Sequence, residues 1–209
     1  FGTLYNTYSF YALYANIDNF NYEKEKQPIN NREKIDFITN WIMDYVSNMQ
    51  NPAKTLVVGV SGGIDSATTL SLAVSALGNE KVTGLILPFV QTESVSLAFD
   101  HAESLKIRTK KIDISKAVKI FRDSTDSFSS QASEGNLHSR IRMTFLYGEA
   151  FNSKSLVMGT SNKSELLVGY YTKWGDGGTD FLPIGDLYKS QIFKLGESLE
   201  IPSEEYSSC

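Results

Sequence analysis

The sequence has a single cysteine, Cys209, so no disulfide can close within the chain. Nothing in it calls for an oxidising compartment, and the cytoplasm is the expected location. Basic residues are not in excess: 20 Lys and Arg stand against 24 Asp and Glu, a formal net charge of −4. That balance argues against a nucleic-acid binder, which carries a basic stripe. It still leaves room for a few cations gathered around one anionic ligand. No apolar run approaches the ~20 residues that a membrane span needs. The Tyr- and Asn-rich start lacks the basic segment and compact apolar core of a signal peptide. No internal repeat or low-complexity tract is evident.

What is present suffices for one sizeable core: 209 residues, 41% of them hydrophobic. Residues 1–30 form an extension without an assigned role, and residues 31–209 read as one domain. Residues 31–49 carry Ile35, Ile38, Ile42, Tyr45, Val46 and Met49 at helical spacing, with Asn30 or Asn31 as N-cap. Thr55–Val60 is a short Val-rich run, suited to a strand buried on both faces of a parallel sheet. The pattern then predicts a helix over Ile64–Leu77, a strand over Val82–Leu87 and a helix marked by Val95, Ala98, Phe99, Ala102 and Leu105. A third strand is expected over Ile107–Ile114. The Ser-rich stretch Asp123–Gly135 reads as a loop. A helix over Leu137–Phe151, a strand over Ser155–Gly159 and a helix over Leu187–Leu199 complete the reading. Strands alternating with helices predict an α/β fold, with a doubly wound, mostly parallel, Rossmann-like sheet and flanking helices. Ligands in such folds bind beyond the carboxyl ends of the strands.

The sharpest local signal is Gly59-Val60-Ser61-Gly62-Gly63-Ile64-Asp65-Ser66, set between a buried strand and a helix. Glycines let backbone pass close to a ligand. The helix start offers free N–H groups and the positive end of a dipole, and Ser61 and Ser66 add hydroxyls. A Walker loop would bring a lysine here; this turn brings a carboxylate. Asp65 would repel phosphate unless a divalent cation lay between them, and Mg²⁺ is typically held by one or two carboxylates plus phosphates. The turn therefore reads as a cradle for a magnesium-bound pyrophosphate. The plainer reading keeps Asp65 as a helix-start residue that favours the dipole.

Ser61-Gly-Gly-Ile-Asp-Ser66 resembles the signature of the PP-loop ATP pyrophosphatases, whose fold is of the adenine nucleotide alpha hydrolase type. Three later segments narrow the resemblance to the ammonia-dependent NAD synthetase family: Gly135–Met143, Gly159–Glu165 and Gly169–Asp180, with Pro183 and Lys189 beyond. The resemblance covers roughly residues 31–202. It implies ATP contacts at Gly59–Ser66, Thr160 and Lys189, and Mg²⁺ on Asp65 and Glu165. It implies contacts to deamido-NAD at Arg140, Lys173 and Asp180, with Arg142 a neighbour of less definite role. Taken singly, each has a plainer reading. Thr160 would be a helix N-cap, Glu165 and Lys189 solvated helix residues, the two arginines surface ion pairs, and the glycines at 175, 177 and 178 a mobile or tightly turned loop. His101 and His138 match no role and read as structural. Ile86 stands where the family often has a basic ATP contact, so no ATP role is carried onto Gln91.

The resemblance implies that the carboxylate of deamido-NAD attacks the α-phosphorus of ATP and that ammonia then displaces AMP. No covalent nucleophile is expected. It also implies a homodimer, for which the helices at 31–49 and 137–151 are candidate faces. No glutaminase domain is visible, and residues 1–30 are too short for one, so use of glutamine would need a separate source of ammonia. Family members continue past Ile201-Pro202 with an ATP-contacting Thr and a His-Lys pair near the end, so a C-terminal part is expected to be missing here. The rival readings are another PP-loop amidating or thiolating ligase, or a nucleotide-binding module without catalysis.

Overall fold

In a computed structural model that describes residues 30–48 and 53–202, four parallel strands form one sheet. They are β1 (Thr55–Gly59), β2 (Val82–Ile86), β3 (Arg108–Lys111) and β4 (Ser155–Met158), in the order β3-β2-β1-β4. Register pairs Leu56 with Val82, Thr55 with Ser155 and Thr83 with Arg108. The chain steps outward from β1 to β3, then returns to the other side of β1. The strand order thus reverses between β1 and β4, and a crevice opens at the carboxyl ends there.

Successive side chains on a strand point to opposite faces, so the sheet feeds two cores. Leu56, Val58 and Ile86 pack on one side with Ile42, Leu70, Ala98 and Ile192. These come from α1 (Asn31–Ser47), α2 (Ile64–Leu77), α3 (Glu93–Ser104) and α7 (Lys189–Ser198). Val57, Leu85 and Val157 pack on the other side with Val118, Ile141 and Leu146, from α4 (Ser115–Ser124) and α5 (Gln131–Ser153). A short α6 (Lys163–Val168) follows β4. Phe181, fully buried, extends the sheet by a bridge to Met158 and packs its ring 4.8 Å from Tyr45 and 5.8 Å from Trp41.

Asn30 is the N-cap of α1, in a capping box with Glu33. Residues 1–29, Met49 and Cys209 lie outside the described residues. Two expectations need correction. The third strand stops at Lys111, because its only partner, β2, ends at Ile86; beyond it, single bonds from Ile112 N to Ile86 O and from Ile114 N to Pro88 O carry the chain away. The Ser-rich stretch is not one loop. Its start belongs to α4, Asp126–Phe128 forms a 3-10 turn, and α5 begins at Gln131 behind a Ser130–Ser133 capping box. That first turn of α5 reaches past the core, so it shows no apolar period.

Candidate active site

At the end of β1, Val60 donates its N–H to Leu85 O at 2.9 Å, and the chain then leaves the sheet. Gly62 takes φ +87°, and a Cβ there would lie 1.9 Å from the carbonyl oxygen of Ser94. The start of α3 backs directly onto the turn, so only glycine fits. Gly63 has an ordinary φ of −90° and no such crowding. It is the N-cap of α2 and supplies no side-chain cap, so the first amides of α2 face outward uncapped. Ser61 and Ser66 knit the turn, with their hydroxyls 3.2 Å apart and Ser66 Oγ donating to Gly63 O at 2.9 Å.

Four polar residues from three helices meet beside this turn. Asp65 lies in the first turn of α2. Its Oδ1 accepts from Asn162 Nδ2 at 3.1 Å, and its Oδ2 accepts from Lys189 Nζ. Asn162 caps α6: its Oδ1 accepts from Glu165 N at 3.0 Å, while Glu165 Oε2 accepts from Asn162 N at 3.1 Å. Ser164 Oγ accepts from Lys189 N at 3.1 Å, which ties the start of α7 to α6. Burial pushes the Glu165 carboxyl above the ordinary glutamate value, and the nearby Asp65 adds to that; the Asn162 bond and Lys189 oppose it. Asp65 and Glu165, which the family resemblance pairs, are thus brought together, and Lys189 joins them. Thr160 is not a helix N-cap; that position belongs to Asn162.

Adjoining this cluster is a cavity of about 660 Å³ at the carboxyl ends of the strands. Gly59, Val60, Ser61 and Thr160 line it, with Leu85–Leu87 at the end of β2 and Thr92, Ser94 and Val95 at the start of α3 contributing to one wall. The opposite wall is α5, through His138, Ser139 and Arg142, with Asp176 and Thr179 beside it. Arg142 donates from Nε to Leu87 O at 2.9 Å, and burial pulls its guanidinium below the ordinary arginine value. His138 stacks on Phe89 with centroids 4.2 Å apart, and burial holds its imidazole below the usual value. Gly62–Ser66, Glu165 and Lys189 lie outside this lining.

The glycine-bearing segment is tightly turned, not loose. Asp176 Oδ1 accepts from Ser139 Oγ at 2.6 Å and from Thr172 N at 2.9 Å. Thr172 Oγ1 meets Asn136 Oδ1 at 2.8 Å, and Arg140 Nε donates to Lys173 O at 3.1 Å. Arg140 and Lys173 therefore sit side by side on the seam between this segment and α5. Asp180 accepts from Val157 N at 2.7 Å and from Tyr147 Oη at 3.1 Å, which fixes it against β4. Asn162, Ser139 and Asp176 were not singled out from sequence. The spacing Asn162-x-x-Glu165 is a capping-box signal that could have found the first.

The model of the family described as NAD synthase matches residues 34–208. The chain belongs to the NAD synthase family. An NH(3)-dependent NAD(+) synthetase of Archaeoglobus fulgidus is 44% identical over 177 residues, spanning 83% of this chain and 70% of that protein. Another, from Pyrococcus furiosus, is 42% identical over 73% of this chain and 60% of its own length. The chain thus spans about 60 to 70% of these relatives. Among solved structures, an NH3-dependent NAD synthetase from Campylobacter jejuni superposes with a TM-score of 0.81 at 35% identity, covering 86% of this chain and 78% of that one. An NMN synthetase from Francisella tularensis gives 0.80 at 40% identity, covering 86% and 75%. Family membership agrees with the Rossmann-like fold and with the order of the sequence segments that suggested it.

Proposed function

We propose that this NAD synthase family chain is a ligase that amidates the nicotinate carboxylate of deamido-NAD with ammonia, at the expense of ATP. The observation that carries the reading is the meeting of Asp65, Asn162, Glu165 and Lys189 beside an uncapped, lysine-free turn. An uncapped helix start binds phosphate oxygens, and Lys189 is near enough to add a cation.

Magnesium fits this cluster. Two carboxylates converge on one residue, Asn162, through its side-chain amide and its backbone N–H; the Lys189 ammonium group bonds Asp65, and Glu165 is already raised by burial and by its neighbour. Mg²⁺ is usually held by one or two carboxylates and completes its shell with phosphate oxygens and water, so two carboxylates suffice. Asp65 and Glu165 would hold it, and it would supply positive charge at the departing pyrophosphate.

The residues divide the work. The turn amides and Lys189 hold the triphosphate, and Thr160 and the β2 end bound the cavity next to it. Arg140, Lys173 and Asp180 orient the dinucleotide. The carboxylate oxygen attacks the α-phosphorus, the bond to the bridging oxygen breaks, and pyrophosphate leaves. Ammonia then attacks the carbonyl carbon of the mixed anhydride, AMP leaves, and one proton is lost. Catalysis is positioning plus electrostatic stabilisation, with no covalent enzyme intermediate. We further propose a cytoplasmic homodimer that binds no nucleic acid. Among the described residues no helix is long and apolar enough to cross a membrane.

Incubating the chain with ATP, Mg²⁺, ammonium and deamido-NAD tests this reading. NAD and AMP should form in equal amounts, and Asp65→Asn should abolish both while the chain stays folded. ADP in place of AMP would overturn it. The likeness to an NMN synthetase supports a second reading, in which the mononucleotide is the acceptor; both acceptors belong in the same assay.

A further inference from the structure

We infer that Asn162 is a positioning residue that sets the two carboxylates of Asp65 and Glu165 before any cation arrives; this rests on the magnesium reading above. Asn162 is 1% exposed, and every polar group of its side chain is used. Its Oδ1 accepts from Glu165 N at 3.0 Å, which caps α6. Its Nδ2 reaches back 97 residues in sequence to Asp65 Oδ1, at 3.1 Å. Its own N–H holds Glu165 Oε2 at 3.1 Å. One residue therefore fixes one oxygen on each carboxylate and leaves the other oxygen of each outside this set of bonds.

Capping alone does not call for asparagine. Serine or aspartate caps a helix about as well. Serine is too short to reach Asp65, and an ionised aspartate has no proton to give. The side chain that caps α6 and also donates to Asp65 has to be an amide. Partners that orient ligands from behind typically account for 10–100-fold in metal affinity.

Asn162→Ser tests this, because it keeps the cap and removes the reach. Mn²⁺ serves as the probe, titrated into the whole chain with a non-hydrolysable ATP analogue and followed by the spin-resonance signal of the free ion. The dissociation constant for Mn²⁺ should rise about 10–100-fold. The Mg²⁺ concentration for half-maximal AMP formation should rise with it, and the rate should recover at high Mg²⁺. Partial unfolding would lower the binding amplitude and leave the constant alone, so an unmoved constant overturns the inference at any amplitude. Asp65→Asn runs alongside. If it leaves Mn²⁺ binding intact, the metal reading falls and takes this inference with it. If it abolishes binding while Asn162→Ser leaves the constant unmoved, only the role of Asn162 falls.

Discussion

Two glycine-bearing turns flank the crevice, and they use glycine and aspartate for different ends. At Gly62 the glycine is demanded by backbone: φ is +87°, and the Ser94 carbonyl lies where a Cβ would go. At Gly177 the crowding comes from a side chain, with Tyr171 Cδ2 2.3 Å from the built Cβ. Asp65 is paired with the ammonium group of Lys189 and with the buried amide of Asn162. Asp176 gives one oxygen, Oδ1, to a hydroxyl and a backbone N–H that fasten its own turn to α5. The first turn is rigid in backbone with an exchangeable lysine on its carboxylate; the second is a clasp. A phosphate site needs the first kind, and a wall that must hold shape needs the second.

Gly62→Ala should strike hardest at this contrast. Left-handed strain and overpacking together predict a loss of roughly 2–5 kcal/mol in urea unfolding, with AMP formation gone. A mild effect would mean that the turn can yield. Next comes Lys189→Met, which should lower AMP formation about 10²-fold with the fold intact. A comparable loss of stability instead would make Lys189 part of a clasp too. Asp176→Ala should destabilise by about 1–3 kcal/mol, because two donors lose their acceptor; Asp176→Asn, which keeps an acceptor oxygen, should recover most of it in the same unfolding assay. Gly177→Ala should cost about 1 kcal/mol, since an aromatic ring can shift where a backbone carbonyl cannot. If it matches Gly62→Ala, the distinction between the two turns fails.

The smallest expected effect is a pH slope at a buried histidine that bonds to α2. His101 Nε2 lies 3.1 Å from both Ser71 Oγ and Ala67 O, and burial holds its imidazole below the ordinary 6.5. The folded chain then binds fewer protons than the unfolded one between that lowered value and 6.5, so stability is complete above the window and falls as pH drops through it. Thermal unfolding against pH should show this slope, and His101→Gln should flatten it in part. His138, held down by burial as well, leaves the remainder.

The β1–turn–α2 unit was legible from sequence down to the bounds of its helix, Ile64–Leu77, because a strand buried on both faces leaves a continuous apolar run. Edges and surface helices were less so. β3 is Arg-Thr-Lys-Lys and half exposed, so its end follows its partner rather than its own pattern. In α4 only Val118 is buried, too little to mark a period. Within the site, Asp65 announced itself by standing where phosphate should go. Lys189 and Glu165 entered through family resemblance, since a contact spanning 124 residues leaves no local trace. Asn162 was hidden by its ordinariness: a helix cap is the commonest thing for an asparagine to be.

The ion pair between Lys189 and Asp65 has a bearing on which ions the crevice admits. A cation that binds Asp65 competes there with an ammonium group of one unit charge. Sodium or potassium gains nothing by that exchange and loses part of its hydration. A doubly charged ion leaves the pocket more positive by one unit, and the evicted lysine is then free to turn toward whatever anion travels with it. Selection among ions thus begins with the side chain already in possession.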